Sequence, residues 1–200
     1  MRMSHLSPEE VGRLQLVAFW IREVFDERGH HIGDALEHDP SFKDGQRPRS
    51  GLARALMRQA VTIAASHVGL DVVPGEGGSY SLDSLDRTYH RCYRVRTAEV
   101  NEGGFRILSS SDSILRTDKD SLFTEEPWVL GYTLNLDNQI EHLFAAEVRD
   151  YVDGSPGELI LGHAYMLPGA PPTEPGAFGG TNEGLPWDDD SLGEEESGTA

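Results

Sequence analysis

The sequence predicts an α+β domain: two N-terminal amphipathic helices packed on a roughly five-stranded antiparallel sheet, followed by a disordered acidic tail. Three observations predict it. Apolar residues recur at helical spacing in two stretches before residue 70, period-2 alternation dominates between Tyr89 and Leu167, and large apolar side chains become sparse after Leu167. Helices grouped before strands argue for α+β rather than an alternating α/β fold. The domain spans 1–167 and the tail 168–200.

Ser7-Pro8-Glu9-Glu10 is a helix start. Ser7 suits the N-cap, Pro8 the first helical position where its missing N–H costs nothing, and Glu10 the far side of a capping box. Val11, Leu14, Val17, Ala18, Ile21, Val24 and Phe25 then form one stripe, with Gly29 as the expected stop. Ile32 to Glu37 adds a short helical turn before Asp39-Pro40 breaks it. The second helix takes Ser50 as cap, carries Leu52, Ala55, Leu56, Ala60, Ile63, Ala64 and Val68 on one side, and ends at Gly69.

Pro74 to Ser84 is rich in Gly and Ser and reads as a connection. Tyr89 to Val100 is a strand with Phe105 to Leu108 as its hairpin partner, Ser109 to Pro127 is loop, and Leu159 to Leu167 is the last strand. The clearest hairpin is Trp128 to Val152. Trp128, Leu130, Tyr132, Leu134 and Leu136 alternate on one arm, and Ile140, Phe144, Ala146 and Val148 on the other. A three-residue loop, Asp137-Asn138-Gln139, pairs Leu136 with Ile140, Tyr132 with Phe144 and Trp128 with Val148, so that the apolar faces coincide.

Composition bounds the function. With 34 acidic and 17 basic residues the net charge is −17, and no Lys or Arg follows Arg149. Without the tail's eight acids, 26 acids still face the 17 bases, about −9. The long-range field therefore opposes direct nucleic-acid binding. No apolar run reaches the ~18 residues of a membrane span, and the amino terminus lacks the apolar core of a secretory signal. The single cysteine, Cys92, cannot form an internal disulfide. These features predict a soluble cytoplasmic protein.

Catalytic signatures are sparse. There is no G-x-x-x-x-G-K-[ST], H-E-x-x-H, C-x-x-C or G-x-S-x-G, so no catalytic residue, metal or cofactor is called for. His31, Asp34 and His38 share a helical face if that turn forms, but metal ligation needs at least three well-placed ligands, usually with a second shell, and this spacing favours an exposed polar loop. Cys92 reads as a small buried hydrophobe, although Arg91 and Arg94 would lower its pKa if it were exposed.

One local cluster is basic: Arg87, His90, Arg91, Arg94 and Arg96, interleaved with Tyr89 and Tyr93. Alternation puts Tyr89, Arg91, Tyr93 and Val95 on one face and His90, Cys92, Arg94 and Arg96 on the other. Tyr89, Arg91, Tyr93, Arg94 and Arg96 are the candidate ligand-binding residues, since arginine forks suit phosphate or carboxylate and tyrosine can stack. The ordinary reading in a chain this acidic is internal pairing with Glu99, Glu147 or Asp150 across the sheet, and the number of available acids favours it.

Two segments could dock on a partner. Lys119-Asp120-Ser121-Leu122-Phe123 is similar to the Leu-Phe-ending peptides that bind bacterial sliding clamps, with Lys119 where glutamine is expected. The more ordinary reading is that Leu122 and Phe123 anchor the loop on the core. Leu185-Pro186-Trp187-Asp188-Asp189-Asp190 resembles the acidic tip of single-stranded-DNA-binding proteins, which however end on the aromatic. The run from Ser121 through Trp128-Val129-Leu130-Gly131-Tyr132-Thr133 to Gly157-Glu158-Leu159-Ile160-Leu161-Gly162 resembles actinobacterial hypothetical proteins, a resemblance that implies a bacterial setting and no activity.

The expected function is a non-enzymatic acidic regulator or adaptor, antitoxin-like or anti-defence-like, that meets a protein partner with a basic surface through Leu122, Phe123, Trp187, Asp188, Asp189 and Asp190. The alternative is a small enzyme or ligand-binding domain with an arginine-lined anion site.

Overall fold

The computed structural model describes residues 5–43, 47–75, 78–85, 89–109, 115 and 124–169. Helix α1 (Pro8–Arg28) starts as its sequence requires, with Ser7 Oγ accepting the Glu10 backbone N–H at 3.2 Å. The capping box closes only on that side, because the Glu10 carboxylate turns into the core instead. Gly29 does not stop the helix. It lies in the right-handed helical region (φ −57°, ψ −35°), and the chain runs straight into α2 (His30–His38), so the two form one bent helix. The glycine supplies room: a Cβ there would lie 2.6 Å from the Phe25 carbonyl oxygen and 2.8 Å from that of Asn138. A 3-10 turn (Pro40–Lys43) precedes α3 (Arg47–Val68), which begins three residues before the expected Ser50 cap.

Eight strands follow, not five: β1 (Asp71–Pro74), β2 (Tyr80–Leu85), β3 (Tyr89–Thr97), β4 (Glu99–Asn101), β5 (Gly104–Ser109), β6 (Thr124–Leu134), β7 (Ile140–Val152) and β8 (Gly157–Met166). They form one sheet in the order β1-β2-β3-β6-β7-β8-β5-β4. The sheet is mixed, because β3 and β6 pair in parallel while the other neighbours are antiparallel. The stretch expected to be a connection, Pro74 to Ser84, supplies most of β2. Its Ser content hid the strand, but Tyr80 and Leu82 are buried beneath the helices and anchor it.

The β6–β7 register also differs from expectation. Trp128 pairs with Glu147, Gly131 with Phe144 and Tyr132 with Leu143, with a shift between Thr133 and Leu134. The reason is that both faces of this hairpin are buried. Trp128, Leu130, Tyr132, Leu143 and Ala145 face the helices, whereas Val129, Phe144, Ala146 and Val148 face a second core. An apolar pattern on both faces cannot choose a register, so the turn chooses it. Asn135 Oδ1 accepts the backbone N–H groups of Asp137 and Gln139, Asn138 takes a left-handed conformation (φ 61°), and Asn135 N–H bonds to Gln139 O. The three-residue loop is therefore Leu136-Asp137-Asn138, with Leu136 89% exposed at its tip.

One residue, Ala98, joins β3 to β4, although the two strands stand five places apart in the sheet. In a flat sheet that gap would be about 24 Å, whereas one linking residue spans only about 7 Å. The sheet must curl until its far edge returns to β3. Ala98 N–H bonds to Tyr132 O at 2.8 Å and fixes the corner. Inside the curl lie Ala98, Ile107, Val129, Phe144, Ala146, Val148 and Leu159, with Phe105 stacked on Phe144 at 4.1 Å. The helices cover the outer face.

Gly131 lies against the ring of Phe144, where a Cβ would overlap the ring atoms. Gly131→Val is expected to lower stability by about 1–3 kcal/mol through overpacking. A denaturant midpoint equal to that of the native chain would contradict this packing.

Candidate anion-binding cleft

The curl divides the basic cluster of β3. Arg91 and Tyr93 point toward α1, where Arg91 is 6% exposed and Glu10 3%. The Arg91 Nη1 and Glu10 carboxylate form an ion pair, Arg91 Nε donates to Glu126 at 2.8 Å, and Tyr93 Oη donates to Glu10 at 2.5 Å. Burial opposes the Arg91 charge, but Glu10 and Glu126 outweigh it and the guanidinium pKa stays above its ordinary value. These two residues tie the first turn of α1 to the sheet. For Arg91, internal pairing holds, with Glu10 and Glu126 in place of the expected Glu99, Glu147 or Asp150.

Arg94 and Arg96 project from the opposite face of β3 into a cleft of about 1270 Å³. The cleft occupies the seam where β5 returns toward β2 and β3. Arg54 and Arg58 reach it from α3, and Arg106 from β5. Glu99 is the one carboxylate among the described lining residues. Arg106 pairs with Glu158 at 2.8 Å, whereas Arg54, Arg58 and Arg96 make no ion pair with a described residue. Arg58 stands over the Tyr80 ring at 6.0 Å. Arg96 donates to the Val95 carbonyl at 3.1 Å. Burial lowers the Arg96 pKa, and the like charges of Arg94 and Arg54 lower it further. The cleft thus concentrates cations in a chain of net charge −17.

Phenols border this charge. Burial raises the Tyr80 pKa, with a further push from Tyr132 and opposition from Arg58, Arg96 and Arg54. Tyr132 is also raised by burial, against its hydrogen bond with Thr97 and the nearby Arg54. Burial, followed by the hydrogen bond to Glu10, raises Tyr93. Cys92 lines the cleft, and burial holds its thiol pKa up despite its hydrogen bond with Ser81. Burial, with Asp83 beside it, disfavours the thiolate that a nucleophile would need. His90 pairs with Asp83 at 2.9 Å.

The remaining sequence candidates fall as follows. Tyr89 opens β3, and its side chain lies outside the described residues. Arg87, Leu122, Phe123, Trp187, Asp188, Asp189 and Asp190 also lie outside them. Among the described residues, no group of three or more His, Cys, Asp or Glu side chains converges as a metal site, and no helix is long and apolar enough to cross a membrane. Sequence reading missed Arg54, Arg58 and Arg106. A signal was present for two of them: arginines four apart on a helix repel each other, and neither Arg54 nor Arg58 has an acidic residue three or four positions away. No family profile, curated protein or solved structure matches this chain.

Two outcomes test this partition. Arg91→Ala strands the buried Glu10 charge and is expected to cost about 3–5 kcal/mol, whereas Arg96→Met relieves like-charge repulsion and is expected to leave stability equal or higher; chemical denaturation of both variants checks the contrast. Stability should also fall as pH rises past the ordinary phenol value of 10.0. The folded-state pKa values of Tyr80, Tyr93 and Tyr132 are raised, so their contribution is complete below the unfolded value and is lost as pH climbs toward the folded ones. Melts between about pH 9 and 11 that stay level would contradict the buried phenols.

Proposed function

We propose that this chain is an anion-binding domain whose ligand sits in the cleft between α3, β3 and β5. The observation that carries the reading is Arg96: a half-buried guanidinium with no carboxylate partner among the described residues, set beside Arg94 and Arg54. A half-buried guanidinium beside like charges is unfavourable, and an anion that accepts its hydrogen bonds would offset that cost. Tyr80, Ser79 and Ser81 add polar groups to the same lining. Arginine also gives the geometry that planar or tetrahedral oxyanions favour, since its fork donates two parallel hydrogen bonds. The adaptor reading rests on Leu122, Phe123, Trp187 and the three aspartates after it, none of which is among the described residues.

Inorganic triphosphate is a suitable first probe. At a concentration about 100 times its Kd, a ligand that binds only the folded chain stabilises it by about 2.7 kcal/mol. The native chain is expected to show such a rise in melting temperature, and Arg96→Met to lose most of it at constant ionic strength. Equal shifts in both would mean a general salt effect and would remove the cleft from the reading.

A further inference from the structure

Resting on that anion-site reading, we propose that the ligand is a small phosphate ester carrying two or more phosphoryl groups on a partly apolar body, such as a nucleoside polyphosphate. The argument begins with where the cations stand. Arg54 and Arg58 lie one helical turn apart on α3, about 6 Å along its axis. Arg94 and Arg96 lie two residues apart on one face of β3, about 7 Å along the strand. The two pairs meet electrostatically, since Arg54 and Arg94 both depress the Arg96 pKa. A single oxyanion can accept from one such fork or two. One placed where the arms meet would reach Arg54 and Arg96, and anionic groups in series are needed to reach Arg58, one helical turn further along α3, as well.

Size points the same way. The cleft, about 1270 Å³, exceeds the roughly 300–1,000 Å³ of ordinary small-ligand pockets, so a lone phosphate would leave most of it to water. Its walls are not purely polar. Val73, which is 42% exposed, lines it with Pro74 and Leu108, and these give an organic body a surface to cover. Tyr80, beneath Arg58, adds an aromatic face. An extended nucleic-acid strand is the competing ligand with the same phosphate chemistry. The net charge of −17 disfavours it, because the long-range field opposes a long polyanion along its length, whereas a compact ligand places its charge within the cleft.

The test uses the full chain and calorimetric titration at fixed ionic strength with orthophosphate, pyrophosphate, adenosine monophosphate, adenosine triphosphate and a twelve-nucleotide single strand of DNA. Adenosine triphosphate is expected to bind at least about tenfold more tightly than adenosine monophosphate, and pyrophosphate more tightly than orthophosphate, a tenfold step being 1.4 kcal/mol. Arg54→Met and Arg96→Met should each weaken adenosine triphosphate by about tenfold or more, the range of a charge-assisted hydrogen bond to phosphate. Arg149→Met, whose native partner is Glu147, should not. Orthophosphate binding as tightly as pyrophosphate would overturn the polyphosphate inference and leave the anion site standing. Binding of the DNA strand alone would overturn it in favour of a nucleic-acid ligand. Failure of every anion to bind would remove the anion site itself.

Discussion

The one-residue link at Ala98 is the constraint from which much of this molecule follows. A chain that leaves β3 and re-enters the same sheet at its far edge after one residue has no flat solution. The sheet must bend back, and bending creates an inner surface that has to be filled. Phe144, Val129, Ile107 and Leu159 fill it, and Gly131 yields its side-chain space to the Phe144 ring. The outer face keeps its own apolar side chains and needs a cover, which α1 and α3 provide. The cleft lies on the seam of this curl, so it belongs to the sheet's closure rather than to any single loop.

Two arginines five residues apart on β3 show how differently one strand can bury a cation. Arg91 is enclosed beneath α1, and its charge is answered by Glu10 and Glu126. Such a pair contributes little net stability against an apolar replacement, yet losing one member leaves an unanswered charge in the core. It also sets where the first turn of α1 must sit, because Glu10 is held by Tyr93 as well. Arg96, on the other face, has a backbone carbonyl and two neighbouring cations. The first arrangement is closed upon itself. The second is open to solvent and to whatever oxyanion the solvent carries.

Much of the helical architecture was legible because its signals are local. Ser7 and Pro8 announced α1, and the stripe through Phe25 matches the residues that α1 buries. Short-range alternation marks β3, β5, β7 and β8, with β3 giving way to a separate β4 at Ala98. What was hidden depends on distance or on two answers being equally good. The parallel pairing of β3 with β6 joins segments far apart in sequence, with the β4–β5 hairpin between them, and no local pattern encodes it. Alternation misplaces the hairpin register because Phe144 and Trp128 are both apolar yet face two different interiors. Gly29 was read from its usual role as a helix stop, whereas its neighbour across space, Asn138, decided it. Arg94 and Arg96 were separable from Arg91 by parity alone. Arg54, Arg58 and Arg106 joined them only once the sheet had closed.

The imbalance of charge has a consequence for rate. The net charge of a chain with 34 acids and 17 bases repels an approaching anion at long range, whereas the attraction of the cleft arginines acts only close to the cleft. Beyond a Debye length, about 10 Å at 0.1 M salt, an anion meets the net field; inside that distance it meets the guanidiniums. The usual steering of opposite charges is thus reversed at long range. Added salt would thin the outer barrier and quicken arrival while it loosens the hold within, so encounter and residence would respond to ionic strength in opposite senses. An anion bound in the proposed cleft would therefore arrive slowly, and one compact enough to carry its charge past the rim would be favoured.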